Sequence, residues 1–398
     1  MHSSSVPVIP DELRELSPFP AEGRKLYSLL APWFESQGYS LYPRDPNGHA
    51  SLFRTADMGD QSAKFPHAYV IETGRTKFGA QCSVFPAVNR DNQDVVIKVV
   101  PTGGYELLIF QHLTTEMALR DELNMTIPVL EILAFDEIWS FVVMPRWGCI
   151  VGLERWGFND VRNVFHFVTS LLKGLVFLHR NLIVHRDIRP DNILVNGFAP
   201  NMLVDLRPFL DSGHARFALA DFGLSIMFSP DTLPEERLLP SEESNFGTYE
   251  YQPPDGSDGE PFYDPFAFDV ACLGGVLCEL IGHLTALVNP LAPFLDRMIT
   301  PDVSARYTAE EALRAFTELE TQLSPECLAT RVNSTPVGVF AEKYRPWQAY
   351  NRWSGLPSSF IAKQPPPVYT KFKTYDDDWE PYFITYSFGA SSQEQFSG

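Results

Sequence analysis

The chain has 398 residues, 44% hydrophobic and 20% charged, which is enough apolar material for one large core or two lobes. Its 31 Lys and Arg against 50 Asp and Glu leave a net charge of −19, which argues against a general nucleic-acid or anionic-membrane surface but leaves room for a small basic pocket. The five cysteines, Cys82, Cys149, Cys272, Cys278 and Cys327, lack metal-ligand spacing, the first residues lack a secretory pattern and no apolar run reaches membrane-span length, so the expected localisation is intracellular, cytoplasmic or nuclear.

Residues 1–20, with four prolines and a serine cluster, read as a loose arm. Residues 22–38 predict a short amphipathic helix broken near Pro32, and 42–67 a polar, turn-rich stretch. Strand patterns follow at 67–72, 82–88 and 94–100, then a helix over 105–119 and two more strands within 127–145. From 161 to 178 apolar residues recur in steps of three and four behind Asp160, predicting a buried amphipathic helix with that residue as its N-cap. Phe268–Leu284 reads as a second apolar helix, with Gly274 and Gly275 marking close packing. Thr308-Ala309-Glu310-Glu311 is a capping box opening a third helix through about Glu320. After Gly338 the sequence is rich in aromatics and proline, and is expected to pack on the body in extended segments with the last ten residues free. The expected organisation is an N-terminal extension (1–68), a β-rich lobe (69–145), a mainly helical lobe (146–322, with an insertion at about 197–217) and a tail (323–398).

One ordered set of polar residues carries chemistry. Val95-Val96-Ile97-Lys98 lies on a strand and Glu106 opens the next helix. His185-Arg186-Asp187-Ile188-Arg189-Pro190-Asp191-Asn192 follows the long helix, and Asp221-Phe222-Gly223 comes downstream. This order resembles the eukaryotic protein kinase superfamily over about residues 69–320. The resemblance implies an α+β, bilobal protein-kinase-like fold with ATP and Mg²⁺ as cofactors. Lys98 would then hold the α- and β-phosphates and pair with Glu106, while Asn192 and Asp221 would bind metal. Asp187 would accept the substrate hydroxyl proton, and Arg189, where Ser/Thr kinases usually carry Lys, would contact the γ-phosphate. Thr248 would touch Asp187 and Arg189. Gly79, Val84, Val96, Met144, Arg146 and Leu194 would complete the nucleotide site, with Met144 as gatekeeper and residues 145–147 as the hinge.

Several features depart from the family pattern. The phosphate-covering loop is degenerate: aligning Val84 and Ala87 leaves Lys77, Gly79 and Cys82 where three glycines are expected. Asp255 stands where a glutamate pairs with a late arginine, here Arg306, and few residues separate Asp269 from Arg306. The insertion, the trimming and the aromatic tail together resemble a divergent kinase-like group of mushroom-forming fungi.

Asp269 is expected to brace the catalytic-loop backbone. Arg186 precedes Asp187, the arrangement used when a loop phosphate orders the site. Segment 224–246 offers Ser225, Ser229, Thr232, Ser241 and Ser244 beside Asp231, Glu235, Glu236, Glu242 and Glu243. Two readings stay open: one acid stands in for a phosphate, or the segment is a solvated acidic face. The expected function is a Ser/Thr protein kinase acting on protein substrates. A nucleotide-binding pseudokinase-like scaffold and a kinase-fold small-molecule phosphotransferase are the alternatives.

Overall fold

The structure, a computed structural model, describes residues 6–14, 20–44, 50–57, 68–78, 83–150, 157–198, 205–247, 251–253, 255, 260–332 and 352–364. After a single-turn helix α1 (Asp11–Arg14), helix α2 (Pro20–Gln37) leads into strand β1 (Ser40–Leu41). Then come β2 (Ala50–Arg54), β3 (Tyr69–Val70), β4 (Gly74–Phe78), β5 (Val84–Val88) and β6 (Asp94–Pro101). Helices α3 (Tyr105–Leu113) and α4 (Glu116–Arg120) precede β7 (Glu131–Ala134) and β8 (Trp139–Pro145). The main sheet has the order β1-β5-β6-β8-β7, every neighbouring pair antiparallel.

Register and pleat divide that sheet's residues. Val84 lies opposite Lys98, Lys98 opposite Val142, and Val96 opposite Met144, so these five share one face. Phe85, Val95, Ile97, Val99, Phe141 and Val143 fall on the other, where Leu26, Leu30, Trp33 and Phe34 of α2 cover them. The Trp33 ring meets Phe135 edge-on at 4.9 Å, and Phe34 meets Phe141 in the same way. This burial explains why α2 runs on through Pro32, where the sequence predicts a break. A proline inside a helix costs about 3 kcal/mol, and each large apolar side chain buried returns about 1.5–3 kcal/mol. The predicted 105–119 helix is instead divided. The Thr114 and Thr115 hydroxyls donate to the Gln111 and His112 carbonyls, and Thr115 caps α4.

The strand near residue 69 leaves the small lobe. β3 pairs in parallel with β12 (Gly197–Phe198), part of the insertion, which also carries helix α6 (Arg207–Asp211). Strand β4 pairs with β2, while β1 takes the main-sheet edge beside β5.

The larger lobe is built on α5 (Val161–Arg180), capped by Asp160, and α7 (Pro265–Ile281). Helix α5, and α7 together with the 3-10 turn that continues it to Leu284, are long and apolar enough to cross a membrane by length and composition, and both are mostly buried in this fold. A Cβ on Gly274 would lie 2.7 Å from Ile299 and 2.8 Å from Met298 of α8 (Leu291–Ile299), so the glycine permits close helix approach. Thr308 and Glu311 form the predicted capping box of α9 (Ala309–Thr321). Short strands frame the loops between α5 and α7: β9 (Gly148–Cys149), β10 (Ile183–Val184), β11 (Ile193–Val195), β13 (Phe217–Leu219) and β14 (Ile226–Met227). The described tail comprises 323–332, with the one-turn helix α10 (Pro325–Leu328), and 352–364, with α11 (Ser358–Ile361). Segment 352–364 is made of turns and its one-turn helix rather than extended segments, and Trp353 and Leu356 pack with Ala292 of α8. The last ten residues lie outside the described residues. Four cysteines among the described residues are free thiols.

Candidate active site

The segment after α5 turns back through β10 into His185-Arg186-Asp187, and α7 holds it there. Asp269 is fully buried, and its two carboxylate oxygens accept the His185 and Arg186 backbone N–H groups, each at 2.7 Å. It therefore braces the loop backbone, as expected. His185 is also fully buried. Its Nε2 lies 3.0 Å from the Ala220 carbonyl, and its Nδ1 accepts from the Asp187 N–H at 3.3 Å, so the ring proton sits on Nε2.

Arg186 adopts φ +66°, a left-handed conformation uncommon for its residue type, and its surroundings hold it there. Its buried guanidinium donates to the Tyr263 hydroxyl, the Leu224 carbonyl, and the carbonyl and carboxylate of Glu243. Of the five acids in segment 224–246, Glu243 is thus the one that reaches Arg186, as an ion pair at 3.0 Å. Three serines of that segment have other engagements: Ser225 donates to the His185 carbonyl, Ser241 to the Glu260 carbonyl and Ser244 to the Ser241 carbonyl.

Asp187 and Asn192 meet directly. A short 3-10 turn (Pro190–Asn192) lets the Asn192 Nδ2 donate to both the Asp187 carbonyl, at 2.9 Å, and its Oδ2, at 2.8 Å. Segment 224–247 closes on the same carboxylate. A Cβ on Gly247 would stand 3.0 Å from the Asp187 Oδ1 and 2.9 Å from the Arg186 carbonyl. Arg189 pairs with Asp191.

Across the cleft, the Lys98 Nζ pairs with Glu106 and lies 2.7 Å from the Asp221 Oδ1. Burial works against the Lys98 ammonium, but the Asp221 and Glu106 charges outweigh it and hold the pKa above the ordinary lysine value. Burial raises the Glu106 pKa despite Lys98. Burial also opposes ionisation of Asp221, yet Lys98 and the Gly223 N–H keep its pKa below the usual carboxylate value. Asp221 too sits at positive φ, +65°. Phe222 anchors it, fully buried with its ring 5.5 Å from Phe110 of α3 and 5.6 Å from His185.

Val84, Val96 and Met144 share the Lys98 face of the sheet, and Leu194 lies on β11, paired with Cys149 just past the hinge. Val96 and Leu194 are half-buried against the core cluster that contains Met144. Arg146, expected at the hinge, turns its side chain to other protein groups. That side chain is buried, donating to the Tyr42 hydroxyl at 2.9 Å and stacking over the Phe198 ring at 4.3 Å. Gly79 and Thr248, singled out from the sequence, lie outside the described residues. Tyr42, Asp94 and Glu243 were missed as individuals. Asp94 and Tyr42 are distant in sequence and follow no motif, and nothing in the acidic run distinguishes Glu243. Asp255 and Arg306 form a buried two-pronged pair, at 2.5 and 2.8 Å, despite the shorter acid.

Among the described residues no cluster of three or more His, Cys, Asp or Glu side chains is arranged to hold a metal alone. The Asp221 carboxylate and the Asn192 amide oxygen are hard donors of the type that holds Mg²⁺ when substrate phosphates supply further ligands, so the donor set fits.

The chain is similar to known proteins over the region that holds these residues. The family model for the protein kinase domain matches residues 77–288, more than half of the chain. A MAP kinase kinase kinase, wis4, of Schizosaccharomyces pombe is 26% identical over 259 residues, 61% of this chain and 17% of that protein. Mouse mitogen-activated protein kinase kinase kinase 5 is 29% identical over 240 residues, 57% of this chain and 16% of that protein. Human cyclin-dependent kinase 20 is 32% identical over 127 residues, 32% of this chain and 29% of that protein. The chain therefore spans less than a third of the length of each of these relatives.

Proposed function

This chain belongs to the protein kinase family, and from that premise we propose that it transfers the γ-phosphoryl group of ATP to serine or threonine hydroxyls of proteins. The observation that carries the reading is the meeting of Lys98, Glu106 and Asp221, drawn from a strand, a helix and a loop, at one buried ammonium. Phosphoryl transfer asks a protein to position the reactants and neutralise charge on the moving group. In this reading Lys98, aimed by Glu106, holds the α- and β-phosphates. Magnesium, when bound, draws charge off the phosphate oxygens, and Asp221 and Asn192 are the side chains that would hold it. Asp187 accepts the proton of the acceptor hydroxyl, its carboxylate fixed by Asn192. Arg189 turns from Asp191 to the γ-phosphate. Glu243 on Arg186 supports an ordered loop with no added phosphate.

A second reading, a nucleotide-binding scaffold without turnover, draws on the small lobe's edge. Ser40–Leu41 fills the place beside β5, and β4 pairs with β2. The test is autophosphorylation and peptide phosphorylation by the purified full chain with Mg·ATP, beside Asp187→Asn. Loss of the general base is expected to lower turnover by about 10²–10⁴-fold, with nucleotide affinity kept. Nucleotide binding with no wild-type turnover assigns the scaffold instead. Turnover on metabolites but not proteins assigns a small-molecule phosphotransferase.

A further inference from the structure

The described segments 39–44, 50–57 and 68–71 precede the kinase-domain match and touch both lobes at the hinge. We propose that they form a strap that fixes the hinge, with Tyr42 and Arg146 as positioning residues for the nucleotide.

The upper attachment is a buried polar network. The Tyr42 hydroxyl donates to the Asp94 carboxylate and accepts from the Arg146 Nη1 at 2.9 Å, while Arg54 of β2 pairs with Asp94 at 2.9 Å. Tyr27 of α2 donates to the Tyr42 carbonyl, tying the network to the helix behind the sheet. Asp94 opens β6, the strand of Lys98, and its carbonyl accepts the Arg146 N–H at 3.1 Å. A charged residue at the hinge is thus bound to both the extension and the catalytic sheet.

The lower attachment is a ladder to the other lobe. The Tyr69 N–H donates to the Asn196 carbonyl at 2.8 Å and the Ile71 N–H to the Phe198 carbonyl at 2.9 Å. The Tyr69 ring is buried 5.2 Å from Phe209 of the insertion. β12 also lies directly on the strand leaving the hinge: a Cβ on Gly148 would sit 2.4 Å from the Gly197 carbonyl. Arg146 joins the two attachments, its guanidinium 4.3 Å from the Phe198 ring centroid below and 5.3 Å from that of Tyr42 above.

Rotating one lobe against the other about residues 145–148 must part β3 from β12 or draw Arg146 from Tyr42 and Phe198. A ligand held between the lobes leaves when they part, so the strap slows nucleotide release and acts on KM more than on kcat. The nucleotide arm of this proposal rests on the kinase reading above; the hinge arm does not.

The test uses the full chain, with Mg·mantADP as probe and backbone hydrogen exchange as a second readout. Tyr42→Phe removes only the bridging oxygen, and Arg146→Lys keeps the charge while losing the planar stack. Each is expected to speed mantADP release about five- to tenfold, the scale of one hydrogen bond or cation–ring contact, to raise KM for ATP and to leave kcat nearly unchanged. Exchange at 145–149 and at 69–71 rises together in both variants. Unchanged exchange at both segments in a variant that melts cooperatively overturns the strap. Faster exchange with unaltered mantADP release overturns its link to the nucleotide. If the wild type does not bind Mg·mantADP, the kinase reading falls and exchange alone decides the strap.

Discussion

Lys98 serves two carboxylates with one ammonium, and the site's pH behaviour follows from that. In the wild type the lowered Asp221 pKa contributes stability above the ordinary carboxylate pKa, about 3.9, which is lost as pH falls through the folded value. Lys98→Met leaves Glu106 and Asp221 facing each other without a cation, so both carboxyl pKa values rise and the folded variant gains protons, and stability, on acidification. The melting-temperature gap between wild type and Lys98→Met is therefore expected to be widest near neutral pH and to close toward pH about 4. Thermal melts across that range check it, and a gap independent of pH would show that Lys98 is not the common partner. Lys98, Glu106, Asp187, Asn192 and Asp221 were legible because each is fixed by spacing to a strand, a helix or a tight turn. Glu243 was not, since selecting one acid from five depends on where segment 224–246 folds back.

At the scale of elements, patterns told type better than partner. The apolar spacing after Asp160 and the Thr308 capping box each mark a helix that the structure contains. The alternation around Tyr69 marks a strand correctly, but period-two patterning carries no record of which sheet it joins, and β3 crosses to the insertion. Pro32 misled for the opposite reason, because a local rule was outweighed by burial of α2 on the sheet. That balance can be measured. Trp33 is nearly buried among Phe34, Phe135 and Phe141. Trp33→Ala is expected to destabilise the fold by about 3–5 kcal/mol, read by urea denaturation. A loss below about 0.5 kcal/mol, the scale of a surface substitution, would mean that α2 is not held to the sheet as described.

At the scale of the molecule, segments outside the kinase-domain match lean on the catalytic body from two sides. The extension covers the back of the small-lobe sheet, and the tail covers α7 and α8 of the larger lobe. The tail contact is polar at its centre. The Arg352 Nε donates to the Asp296 Oδ1 and the Trp353 Nε1 to the Oδ2, both at 2.6 Å, and both partners of the ion pair are nearly buried. Cys278, buried beside them, has its thiol pKa pushed up to about 12 by burial, so it stays a thiol at neutral pH. Such a pair adds little over a well-packed apolar contact while intact, but breaking it strands a charge. Arg352→Met is accordingly expected to cost about 3–5 kcal/mol, because Asp296 keeps its charge and only the indole N–H. Adding Asp296→Asn removes that charge and should recover part of the loss, although the tail contact stays broken. Ending the chain after Val332 exposes the apolar floor as well, and is expected to cost at least as much as Arg352→Met. Chemical denaturation of the three variants gives the order directly. If the double variant is less stable than Arg352→Met alone, the stranded carboxylate is not the source of the loss, and the tail holds the lobe by its apolar contacts through Trp353 and Leu356.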